Sequence, residues 1–199
     1  MLAMKLLIAT RNRHKLEEVK ALFAASGLEL ASALDFPELP DVVEDGATLE
    51  ANAVKKAVSL ALATGWWALA DDSGLEVEAL GGAPGVYSAR YAGEPPDEQA
   101  NNRKLLAALD GQTDRSARFR CVIALSTPEG RAQYVEGVCR GGIVTAPRGT
   151  AGFGYDPLFV PDGHQRTFAE LTADEKNRIS HRGLALAKAR EQWSTIFEA

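Results

Sequence analysis

The chain has 199 residues, 46% of them hydrophobic, enough to bury one substantial core and too few for two full-sized domains. Charged residues at 25% and aromatics at 7% are ordinary globular values that argue against disorder along most of the chain, and a formal net charge of −5 should repel a nucleic-acid backbone or an anionic membrane, so any bound phosphate must meet a local basic site. The uncharged stretch 57–70, interrupted by Ser59, Thr64 and Gly65, is too short to span a hydrocarbon core, and the lysine inside the opening apolar run is the reverse of a secretory signal, which makes the cytoplasm the expected compartment.

In chain order, residues 5–9 read as a short buried strand. Leu16, Val19, Leu22 and Phe23 then recur at helical spacing up to Gly27, which is placed to close that helix at C′. Residues 28–34 read as a second strand, and DFPELPDVVEDG after it, with two prolines and five acidic residues, is a loop. A second helix is expected from about Leu49 to Thr64, with Thr48 as N-cap, Gly65 closing it, and Leu49, Ala53, Ala57, Leu60 and Ala61 on its buried side. Residues 67–70 form a buried strand that runs directly into Asp71, Asp72, Ser73 and Gly74.

The GGAPG segment at 81–85 is a turn, and Pro96 and Asp97 start a helix carrying Leu105, Leu106 and Leu109. Residues 118–126 and 133–138 alternate like the arms of an antiparallel hairpin around Pro128, Glu129 and Gly130. Cys121 and Cys139 fall in these two segments without CxxC spacing, so reduced core thiols are expected rather than a disulfide or a thiolate metal site. After the glycine-rich GTAGFGYDP, Thr172 and Glu175 make a capping box, and a long amphipathic helix is expected from Ser180 onward. Early strand–helix alternation with a hairpin in the middle predicts an α/β fold, a mixed sheet with helices on its faces.

Five segments could carry chemistry. Thr10, Arg11, Asn12, Arg13, His14 and Lys15 lie between the first strand and the first helix, where helix-terminal N–H groups and a lysine can meet phosphate; a solvated basic helix start is the alternative, and no Walker pattern is present. Asp71 and Asp72, placed where a buried strand emerges, repel one another unless a divalent cation or hydrogen bonds compensate them; the other reading is an Asx turn with a solvated acidic pair. Their spacing does not fit the DxD of haloacid-type phosphatases. Glu44, Asp45 and Glu50 flank the second helix, which carries Lys55 and Lys56; hard carboxylate oxygens suit Mg²⁺ and a lysine suits phosphate, although a solvated acidic loop has the same composition. Gly152, Phe153, Gly154, Tyr155 and Asp156 interleave glycine with aromatic rings on which a base could stack, or form a plain turn. Lys176 stands in a donor-rich stretch with His181 and Arg182, of which the last two could donate to a ring carbonyl or simply be surface residues at a helix start; no HExxH or other histidine pair points to zinc.

Taken together, ATRNRHKLEEV, GATLEANAVKKA, ALADDSGLEVEALGGAPGVYSARYAG, FGYDP and ELTADEKNRISHR resemble, in order and across almost the whole chain, the inosine triphosphate pyrophosphatase family, which converts non-standard purine triphosphates to monophosphates and pyrophosphate. The resemblance implies one two-lobed domain spanning residues 1–199 on a long curved mixed sheet, an active cleft between the lobes, a homodimer, and Mg²⁺ as cofactor. It assigns Thr10 to Lys15 to the triphosphate, with Asn12 and Lys15 foremost, and Lys56 to phosphate as well. Asp72 matches the general base and metal ligand, Ser73 a substrate contact, and Phe153, Gly154, Tyr155, Asp156, Lys176, His181 and Arg182 the residues that hold the base. Two departures stand out: His14 replaces a common glycine, and Val43 falls where some members carry a metal-binding glutamate, leaving Glu44 and Glu50 as candidate second ligands. The competing readings are a Maf-like pyrophosphatase of modified pyrimidine triphosphates, against which FGYDP and SHR argue, and a nucleotide-binding protein without turnover.

Overall fold

The structure is a computed structural model that describes residues 4–23, 28–39 and 41–197; Gly27, expected to close the first helix, and the side chains of His14, Ala21 and Leu22 lie outside the described residues. Six strands are hydrogen-bonded in the order β2-β1-β3-β4-β5-β6, so the fold is α/β on a mixed sheet. The strands are β1 (Lys5–Ile8), β2 (Glu29–Ser32), β3 (Trp67–Val77), β4 (Ser116–Ser126), β5 (Ala132–Ile143) and β6 (Phe159–Pro161). The chain divides into two compact units, residues 1–72 with 121–137 and 185–199, and residues 73–120 with 138–184. Among the described residues no helix is long and apolar enough to cross a membrane.

In the first unit β1 pairs in parallel with β2 on one side and with the start of β3 on the other, as successive strands joined by helices must. Those helices are α1 (Arg13–Phe23) and α2 (Leu49–Thr64). Leu6, Ile8, Leu16, Val19, Phe23, Leu69 and Ile123 share one core with Ala185, Leu186, Ala189, Trp193 and Phe197 of the chain's end, and each fully buried side chain of leucine size contributes about 1.5–3 kcal/mol. The start and stop of α2 are chemical. Thr48 Oγ1 accepts from the Ala51 N–H at 3.1 Å, and Gly65, left-handed at φ 68°, donates its N–H to the Ala61 carbonyl at 2.8 Å. All five residues expected on its inner side are buried.

The second unit has its own core of Leu75, Val77, Leu105, Leu109, Phe119, Ile143, Phe159 and Phe168. Phe119 meets Phe159 edge-on with centroids 4.8 Å apart, and β6 pairs antiparallel with the end of β5. Asp97 caps α3 (Glu98–Ala108) by accepting from the Ala100 N–H at 2.9 Å, and the expected Thr172–Glu175 capping box opens α4 (Ala173–Ile179).

Three expectations are corrected. The strand from Trp67 does not end at Ala70 but continues to Val77, so Asp71 and Asp72 are strand residues, 5% and 7% exposed, rather than a solvated turn. Their charge has protein partners, which removes the reason to end the strand at a carboxylate. The second strand is confined to Glu29–Ser32 because Ser32 and Asp35 form a capping box that turns the chain into a 3-10 helix at Ala33–Asp35. The closing helix is interrupted: α5 (His181–Gln192) is followed by α6 (Ser194–Phe197), with Trp193 buried at the break.

Candidate active site

In the first unit, Asn12 ends the loop after β1 by capping α1: its Oδ1 accepts from the Lys15 N–H at 3.2 Å, and its own N–H donates to Thr10 Oγ1 at 3.2 Å. Arg13, His14 and Lys15 therefore form the first helical turn rather than a free loop. Lys15 Nζ lies 2.9 Å from Asp71 Oδ2. Arg11 turns to the acidic loop, donating to the Leu39 carbonyl at 2.7 Å and pairing with Asp41 at 3.2 Å, while Arg13 is exposed.

From α2, Lys56 Nζ donates to the Asp71 carbonyl at 3.0 Å and pairs with Glu44. Burial opposes the lysine's charge, but Asp71, Glu44 and Asp72 outweigh it and raise its pKa above the ordinary lysine value. Asn52, one turn earlier, donates Nδ2 to Asp72 Oδ2 at 3.0 Å and accepts from the Gly46 N–H on Oδ1 at 2.7 Å. Strand alternation explains the division: neighbouring carboxylates on β3 point to opposite faces, Asp71 to Lys15 and Asp72 to Asn52.

The Asp72 carboxyl is pushed up to about 6, first by burial and then by the negative charge of Glu44, with Asn52, Lys56 and Lys15 pulling it back. Two hard-oxygen donors that repel each other, Asp72 buried and Glu44 35% exposed, are what a small dication would relieve. Among the described residues no larger cluster of acidic, histidine or cysteine groups could enclose a metal. A set of one or two carboxylates fits Mg²⁺, which keeps water and substrate phosphate as its other ligands. Glu50 stands half-buried in the first turn of α2.

The second unit holds the other group of residues. Phe153 donates its N–H to Asp156 Oδ2 at 2.9 Å, a turn tight enough that a Cβ on Gly152 would come within 2.0 Å of that oxygen. Lys176 Nζ donates to the same oxygen at 2.6 Å and lies 4.8 Å from the Phe153 ring centroid. Burial raises the Asp156 pKa, against the opposing pull of Lys176, the Phe153 N–H and Arg182.

Arg182 sits 5.6 Å from the same ring and donates to Ser73 Oγ at 3.4 Å. His181 stacks on Phe119, 4.6 Å between centroids and 10° from parallel. At 5% and 2% exposed, His181 and Arg182 are interior groups, which corrects the reading of a solvated helix start. Tyr155 belongs to the core and donates its hydroxyl to the Ser88 carbonyl at 2.8 Å, so of the two rings flanking Gly154 only Phe153 remains half-exposed.

The structure thus gathers Lys15, Glu44, Lys56, Asp71 and Asp72 in one unit, and Ser73, Phe153, Asp156, Lys176 and Arg182 in the other. Sequence reasoning passed over Asn52. The available signal was its spacing, one helical turn before Lys56 on the same face.

The family model of the Ham1 family matches residues 6–192. The dITP/XTP pyrophosphatase of Desulforamulus reducens is 55% identical over 196 residues, covering 98% of each chain, and that of Geobacillus kaustophilus is 50% identical over 194 residues, covering 96% of this chain and 95% of the relative. A HAM1 protein from Coxiella burnetii superposes with a TM-score of 0.91 at 43% identity, covering 96% of this chain and 99% of that one. These matches extend over nearly the whole length, and the chain belongs to the Ham1 family.

Proposed function

We propose that this protein hydrolyses non-standard purine nucleoside triphosphates (ITP, dITP and XTP) to the monophosphate and pyrophosphate, as the names of its relatives describe for them. The observation that carries the reading is the Asp72 carboxylate, buried beside Glu44 and backed by Lys15 and Lys56. Lys15, Lys56 and the N–H groups at the start of α1 receive triphosphate oxygens, positive partners that the acidic chain as a whole lacks. Mg²⁺, held by Asp72 with Glu44, would supply charge neutralisation on the polyphosphate. Asp72 takes the proton of the water that attacks the α-phosphorus, and its burial, which disfavours the ionised form, makes it a better proton acceptor than a solvated carboxylate.

Lys176, His181 and Arg182, with the half-exposed Phe153 ring, hold the base. A 6-keto purine offers an acceptor to these interior donors, whereas the amino group of adenine would leave a donor unpaired, a mismatch that discriminates strongly. The working form is taken to be a cytoplasmic homodimer, which the mass of the protein in solution checks. The test of function is pyrophosphate release from ITP, dITP, XTP, GTP and ATP, with Mg²⁺ and with chelator. Turnover of the 6-keto non-standard substrates, lost with chelator, is expected; equal efficiency on ATP contradicts the account.

A further inference from the structure

Asn52 is 1% exposed in the first half of α2, a place where a short polar amide needs a reason. Both ends of the amide are committed. The Gly46 N–H can only donate, so the atom it meets at 2.7 Å is the carbonyl Oδ1, and the group facing Asp72 Oδ2 at 3.0 Å is the Nδ2 donor. The approach of Gly46 is close enough that a Cβ there would come within 2.6 Å of Asn52 Oδ1. Gly46 follows Glu44 by two residues, so one side chain ties the carboxylate of Asp72 to the backbone of the segment that bears Glu44.

We propose that Asn52 is a positioning residue for the hydrolysis: it commits Asp72 Oδ2 to accepting a hydrogen bond and so fixes the rotation of the carboxylate that takes the proton of the attacking water. The inference rests on the reading of Asp72 as the base. A neutral amide suits this task, because a lysine would form an ion pair that competes with substrate and an aspartate would add a third negative charge to Asp72 and Glu44. The position on α2 also matters: Asn52 and Lys56 lie one turn apart, so the helix that offers a lysine also orients the carboxylate.

The test compares wild type, N52A, N52D, D72N and the double variant D72N/N52A in single-turnover and steady-state hydrolysis of ITP. N52A removes both hydrogen bonds. N52D keeps the acceptor for the Gly46 N–H and replaces the donor to Asp72 by a further negative charge, so an unchanged kcat in it counts against the role even if N52A does not fold. Loss of an orienting partner is expected to lower kcat about 10- to 100-fold with KM changed less than about threefold, and the loss should vanish in the D72N background. Exchange of the Gly46 amide hydrogen should speed up in N52A and stay slow in N52D. A kcat within about twofold of wild type in folded N52D, or a loss that multiplies with that of D72N, overturns the positioning role. A near-normal rate in D72N overturns instead the reading of Asp72 as base, a distinguishable failure.

Discussion

The two groups of functional residues solve the burial of charge in opposite ways. In the second unit the negative charge of Asp156 is met within the protein: one oxygen receives Lys176 at 2.6 Å and the Phe153 N–H at 2.9 Å. In the first unit Asp72 is buried with Glu44 acting against it, and its lysines are shared, Lys15 with Asp71 and Lys56 with Glu44. In the proposed function the region around Asp156 keeps a shape, as recognition of a flat base would require. The other keeps a repulsion that, in that proposal, a cation and a polyphosphate would relieve.

The largest effect expected from this contrast is on rate. Asp72→Asn replaces the repelled carboxylate by a neutral amide, so ITP turnover should fall about 10²- to 10⁴-fold while thermal stability is maintained or increased. Steady-state kinetics alongside thermal melting check both halves. Next comes a loss of stability in the other region: Lys176→Met leaves Asp156 buried without its ion pair, which costs about 3–5 kcal/mol when a buried pair is broken from one side. Denaturant unfolding should register that loss, and Lys15→Met, whose partner Asp71 keeps the nearby charge of Lys56, should lose far less.

The smallest effect is a pH dependence with a definite sign. In chelator, the Asp72 carboxyl titrates at about 6 folded and 3.8 unfolded, so above pH 6 it is ionised in both states and opposes folding. As pH falls through about 6 the folded chain alone takes up the proton, and this group's contribution to stability rises until about pH 3.8. The difference in melting temperature between wild type and Asp72→Asn should therefore narrow from pH 7.5 to pH 5. Mg²⁺ at pH 7.5 should narrow it as well. A constant difference across that range would remove the electrostatic contrast between the regions.

What was legible in the sequence was local chemistry. The Thr48 cap, the apolar spacing of α2 and the Gly65 stop are all written within a few residues, and the helix follows them from Leu49 to Thr64. The Thr172–Glu175 box was legible for the same reason. The course of β3 was not, because the partners that let Asp71 and Asp72 stay inside a strand, Lys15 and Asn52, come from distant segments. Tyr155 was misread as a stacking face because nothing near it in the chain reveals Ser88, whose carbonyl takes its hydroxyl. The candidate site residues were named chiefly through the resemblance of whole segments; their pairing with one another required the fold.

Hydrolysis of ITP in ¹⁸O-labelled water, followed by mass analysis of both products, tests the central claim most directly. Attack of the Asp72-activated water on the α-phosphorus predicts the label in inosine monophosphate and none in pyrophosphate. Label in pyrophosphate, or release of inorganic phosphate with inosine diphosphate, would contradict it.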